Sequence, residues 1–96
     1  MKEQKFPGIH VYNVVAGFKS SRLKHSITPF RFELPDGTEH RIAAIRQAHR
    51  ERVGASVHYH YVVKTREERY FHIVFDSEKL RWHLVQEFDA ELLFNE

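Results

Sequence analysis

The sequence predicts a small, mainly β domain: a strongly curved antiparallel meander or partly open barrel of four to five strands. Three observations lead there. The C-terminal half holds three consecutive runs in which apolar and polar residues alternate, the mark of half-buried strands. Short polar segments join these runs, as in a meander. Thirteen of the 96 residues are aromatic, eight of them Phe, a load that suits strands better than helices.

Residues 9–18 follow the breaker pair Pro7-Gly8 and are rich in β-branched and aromatic types, which reads as a strand. Their alternation is poor, as in a strand covered on both faces or a short buried helix. The segment Ser20–Ser26 is polar, basic and too short to separate two domains. Pro29 opens a cleaner strand, in which Phe30, Phe32 and Leu34 alternate with Arg31 and Glu33. Pro35-Asp36-Gly37 then supplies turn chemistry, with φ fixed at Pro and φ > 0 tolerated at Gly. Residues 38–52 carry two signals. A tight turn feeding straight back favours a long, bent partner strand. Against it, Ala43-Ala44 and Gln47-Ala48 are good helix formers, and Ile42, Ile45 and Ala48 recur at i, i+3 and i+6. The strand is the expectation; a helix at 38–52 or at the C-terminus is the alternative.

The clearest strands follow. Val57, Tyr59, Tyr61 and Val63 alternate with His58, His60, Val62 and Lys64. Phe71, Ile73 and Phe75 alternate with Tyr70, His72, Val74 and Asp76, and Leu80, Trp82 and Leu84 alternate with Arg81, His83 and Val85. The tail to Phe94, with Leu92 and Leu93, is expected to dock as a short helix or an extended edge.

A chain of 96 residues fits one domain with a thin core. Its longest apolar run, Val14–Phe18, is far short of a membrane span. With no Cys there is neither disulfide nor thiolate chemistry, and a cytoplasmic protein is expected. Charge is unevenly spread: residues 1–50 carry nine Lys/Arg against four Asp/Glu, and residues 51–96 six against nine.

The run Pro29-Phe30-Arg31-Phe32, then Ile42 and Ile45, then Tyr70–Asp76 and Trp82-His83-Leu84 resembles small bacterial β-domains of unknown function. In these a Tyr-x-Ile/Leu-x-Phe-Asp strand precedes a Trp-x-Leu strand. The resemblance covers about residues 27–88. It implies a strand over 38–52 and names no catalytic residue.

Eight His offer the main chemistry. His58-x-His60 places two imidazoles on one side of a strand. If Phe75 pairs with Leu80, His72 lies opposite His83; if Val63 faces Phe71, His60 lies diagonal to His72. Three imidazoles, His60, His72 and His83, would then share one face, a set able to hold Zn²⁺. That face also carries Tyr70, Val62, Val74 and Val85, and is expected to be covered by residues 9–18, by the tail, or by a second copy of the chain. A basic set, Lys19, Arg22, Lys24, Arg41, Arg46 and Arg50, would suit nucleic-acid phosphates if it converges. No nucleophile elbow, phosphate-cradling loop or dinucleotide fingerprint is present. The leading expectation is therefore a non-enzymatic domain, needing no cofactor, that acts by binding a protein partner or itself. A nucleic-acid-binding module and a metal-binding protein are the two alternatives.

Overall fold

The computed structural model describes residues 7–15 and 27–89. Six strands run in chain order: β1 Gly8–Val15, β2 Ile27–Glu33, β3 Glu39–Val53, β4 Ser56–Thr65, β5 Tyr70–Asp76 and β6 Arg81–Phe88. Each pairs antiparallel with the next, and β1 returns to β6, so the sheet closes into a barrel. The fold is all-β among the described residues, with six strands rather than four or five, and closed rather than partly open. Closure rests on β1, which is a stave of the wall and not a cover for an outer face. It pairs with β6 at Gly8↔His83 and Ile9↔Trp82, then turns away to pair with β2 from His10 to Val15. The expected tail helix lies outside the described residues, as do Leu92 and Leu93.

The helix alternative for 38–52 is overturned: this segment is β3. Its helix-like spacing has a specific cause. Ile42, Ile45 and Ala48 lie opposite Thr65, Val63 and Tyr61, all three interior residues of β4. Two register shifts, at Ala43 and at Arg46, each add one residue to β3. A bulge of one residue lengthens the inward repeat from two to three, which imitates helical periodicity.

The interior is filled by Phe32, Tyr61, Val63, Phe71, Ile73 and Trp82, with Ile9, Val11, Ile42, Ile45, Tyr59, Phe75 and Leu84 packed around them. Phe32 and Phe71 meet edge to face at 5.2 Å. Where β2 parts from β3, the Tyr61 hydroxyl donates to the Ile27 carbonyl across the interior. Burial pushes that hydroxyl up to about 12. One barrel end is closed by a buried imidazole. His40 lies 5.7 Å from both the Phe32 and the Phe71 rings and 3.0 Å from a Glu67 carboxylate oxygen.

The turns follow sequence chemistry. Gly37 and Gly54 both take positive φ, at 91° and 61°. Gly54-Ala55 is a two-residue hairpin with Gly at the first central position, the type II′ signature. Asp36 Oδ1 accepts from the Thr38 amide and hydroxyl at 2.9 and 2.7 Å.

The packing makes a paired prediction. Phe30 and Phe32 share sequence parity, yet Phe32 is fully buried and Phe30 is 47% exposed. Phe32→Ala should cost about 3–5 kcal/mol in denaturant unfolding, and Phe30→Ala about 0.5 kcal/mol or less. Equal losses would contradict this placement.

Candidate metal centre on the outer face of the barrel

The even-numbered residues of β4 point outward, because the odd-numbered Tyr61, Val63 and Thr65 fill the interior. The register of the Gly54-Ala55 hairpin then sets Glu51 opposite His58 and His49 opposite His60. On the other side of β4, Asp76 lies opposite His58, Val74 opposite His60, and His72 opposite Val62. Three strands thus bring His49, Glu51, His58, His60, His72 and Asp76 onto one patch.

His60 stands at its centre. Its Nδ1 is 2.8 Å from His72 Nε2, and its Nε2 is 3.0 Å from Glu51 Oε1. A carboxylate only accepts, so the proton of neutral His60 sits on Nε2 and its Nδ1 accepts from His72. The His49 ring stacks on His60 with centroids 4.5 Å apart and planes within 4°. The Phe88 ring lies near-parallel to His72 at 6.4 Å. Burial lowers the basicity of both His60 and His72, and His49 pushes each the same way. Glu51 partly opposes this at His60. Both imidazoles are therefore neutral near pH 7, the form that binds metals.

His58 is held from behind, its Nε2 3.3 Å from Asp76 Oδ2. Burial works to raise the Asp76 carboxyl, but four partners outweigh it. The Ser56 hydroxyl donates at 2.7 Å, the Lys79 and Glu78 amides donate at 3.1 and 2.9 Å, and His58 adds its charge. Asp76 is thereby held at about 2 and stays ionised. One donor atom from each of Glu51, His58 and His60 lies within 4.8 Å of the other two. Tetrahedral Zn²⁺, with bonds of about 2.0–2.1 Å, sets its donors roughly 3.3 Å apart. The Glu51 side chain is half-exposed and can close that gap by rotation.

Of the expected set of His60, His72 and His83, the structure brings two together. His60 and His72 touch. His83 does not join them, because β6 pairs Trp82 with Phe75, two residues beyond the expected Leu80. Leu80 instead sits in the turn at φ 55°, its amide bonded to the Asp76 carbonyl. His83 consequently faces Val74, which separates it from His60, and a bulge after His72 sets His72 opposite Gln86. His49, Glu51 and His58 were absent from the expected set. The signal for the first two lay in Gly54-Ala55: a two-residue turn there pairs 49 with 60 and 51 with 58.

Among the basic residues, Lys19, Arg22 and Lys24 lie outside the described residues. The other three do not converge. Arg41 is on the outer wall opposite Arg31, Arg46 is the extra residue of a bulge, and Arg50 lies opposite inward-facing Tyr59. Arg41 and Arg50 are separated by about 30 Å of strand contour.

Compared with known proteins, the chain matches no family model, no curated protein and no solved structure. The site is accordingly read from its own geometry.

The titration of this patch has a definite sign. His60 and His72 resist protonation in the folded state, so their contribution to stability is full above the ordinary 6.5 and is lost as pH falls below it. Asp76 contributes fully above its ordinary 3.8 and loses that contribution as pH falls toward 2. The melting temperature should fall in two acid steps. His72→Ala should diminish the first, and Asp76→Asn should diminish the second, to which Asp36, Glu67 and Glu87 also contribute. A profile identical in all three proteins would refute both assignments.

Proposed function

We propose that the protein is a non-enzymatic binding domain that takes up a divalent transition metal of the Zn²⁺ class through Glu51, His58 and His60. The observation that carries this reading is the convergence of one carboxylate and two imidazoles from adjacent strands, each imidazole oriented by a further group. Asp76 fixes the His58 ring through Nε2, and His72 fixes the His60 ring through Nδ1. Ligating imidazoles are commonly held in this way, and the holding group sets which ring nitrogen is left for the metal. Nitrogen with a single carboxylate suits zinc, and the site offers no thiolate to select copper(I).

Uptake at His60 Nε2 requires the proton there to leave. The neutral ring then carries its proton on Nδ1 and donates it to His72 Nε2, so the His60–His72 hydrogen bond reverses direction. Loading therefore couples to both imidazole tautomers, and it weakens on acidification because protons compete for the same lone pairs.

Zinc titration of tag-free protein, followed by calorimetry and by imidazole nitrogen NMR, tests the reading. One equivalent should bind, raise the melting temperature and switch the tautomers of His60 and His72 together. Glu51→Ala, His58→Ala and His60→Ala should each abolish stoichiometric binding. His72→Ala should weaken it by about 10- to 100-fold, and His83→Ala should leave it unchanged. Absence of binding in the parent protein, or equal affinity in His60→Ala, would overturn it.

A further inference from the structure

Phe30 stands on the wrong side of its strand. It shares parity with Phe32 and Leu34, both buried. The β1–β2 register passes from Tyr12↔Arg31 directly to Asn13↔Pro29, so Phe30 is the extra residue of a bulge. Pro29 takes the buried place, and the Phe30 ring is turned outward. There it meets Tyr12 at 6.4 Å between centroids, with the planes tilted by 45°. Tyr12 is itself 44% exposed. A barrel this small needs its large apolar side chains inside, and a bulge that brings one out re-aims it toward solvent.

The charge around the two rings is equally uneven. Tyr12, Arg31 and Arg41 form one row across β1, β2 and β3 on the outer wall. The Arg31 guanidinium lies 4.1 Å from the centre of the Tyr12 ring. Two arginines directly opposite each other on adjacent strands repel. Glu39, 3.6 Å from Arg31 Nε, offsets only one of them. Two exposed rings thus stand beside two guanidiniums on one continuous face. Aromatic rings stack on unpaired bases regardless of sequence, and guanidinium forks match phosphate oxygens.

We propose that single-stranded nucleic acid binds across this face, with bases stacking on Phe30 and Tyr12 and phosphates meeting Arg31 and Arg41. A duplex keeps its base faces covered and cannot use the rings. An acidic peptide would use the arginines alone, and a second copy of the chain would use the rings alone. The surface is built on β1, β2 and the first residues of β3, whereas the histidine patch uses the far end of β3 with β4 and β5. The two readings therefore stand or fall separately.

Fluorescence polarisation with a labelled oligothymidine of about 12 nucleotides, at low salt, tests it. Phe30→Ala and Tyr12→Ala should each weaken binding by about 5- to 150-fold, while Tyr12→Phe keeps most of the affinity. Arg41→Ala should reduce the slope of log affinity against log salt by about 1. His58→Ala, which alters the histidine patch alone, should bind as the parent does. Thermal melting confirms that each variant is folded, as expected for side chains this exposed. The proposal is overturned by absent binding at high protein excess, or by binding that Phe30→Ala and Tyr12→Ala leave intact. It is also overturned if those variants dissociate a dimer in sedimentation without changing oligonucleotide affinity.

Discussion

β3 has to serve two parts of one barrel. Between Glu39 and Arg41 it pairs with β2, and from Ile42 to Val53 it pairs with β4. A regular strand cannot turn that sharply while keeping its apolar side chains inward. The extra residues at Ala43 and Arg46 solve this by bending the strand and raising its twist. His40, Ile42 and Ile45 then face the interior, and Ala48, on the same side of the strand, is exposed. Because a slip of one residue moves a whole run of side chains to the other face, the same bulges decide what lies outside. With one bulge fewer, His40 and Ile42 would turn out of the core, while the Gly54-Ala55 hairpin would still hold His49 and Glu51 beside β4.

The two histidine environments show what separates a structural imidazole from a reactive one. His40 is buried between Phe32 and Phe71, with the Glu67 carboxylate on Nδ1 and the Thr38 hydroxyl 3.3 Å from Nε2. Both of its nitrogens are committed, and its ring plugs a barrel end. On the outer patch the balance is different. His60 is flanked by His49, His58 and His72, all of which disfavour its protonation or share its proton. Bases gathered this closely have lone pairs in excess and only one carboxylate, Glu51, to take the proton of the central ring. Such an arrangement suits a cation other than the proton.

Interior volume explains how the aromatic residues divide. The core holds Phe32, Phe71, Tyr61 and Trp82, with Tyr59 and Phe75 at its margin. Tyr61–Trp82 and Phe75–Trp82 pairs at 5.7 and 5.1 Å fill the end beyond. Pro29 occupies the buried position beside Phe30, and a bulge there lets the backbone keep its pairing with β1 while the ring leaves. Tyr12 and Phe30 are outside by construction of the β1–β2 ribbon and not through lack of hydrophobic character.

By itself the sequence determined the β class, the meander of the last three strands and the Pro35-Asp36-Gly37 turn, and it offered the Val63↔Phe71 register that sets His60 beside His72 only as a condition, which the structure meets. These are legible because alternation and turn chemistry act over a few residues. It could not supply closure, since only two residue pairs join β1 to β6 and neither partner carries a mark of the other. Nor could it supply the bulges, whose extra residues at Phe30, Ala43, Arg46 and Val85 look like ordinary members of their strands. The positions of His83, Phe30 and the arginines depend on those irregularities and on a turn that retains Leu80. Local pattern states which residues alternate. Only the closed barrel, which must bend its strands to meet end to end, decides where the alternation is interrupted and hence which side chains share a face.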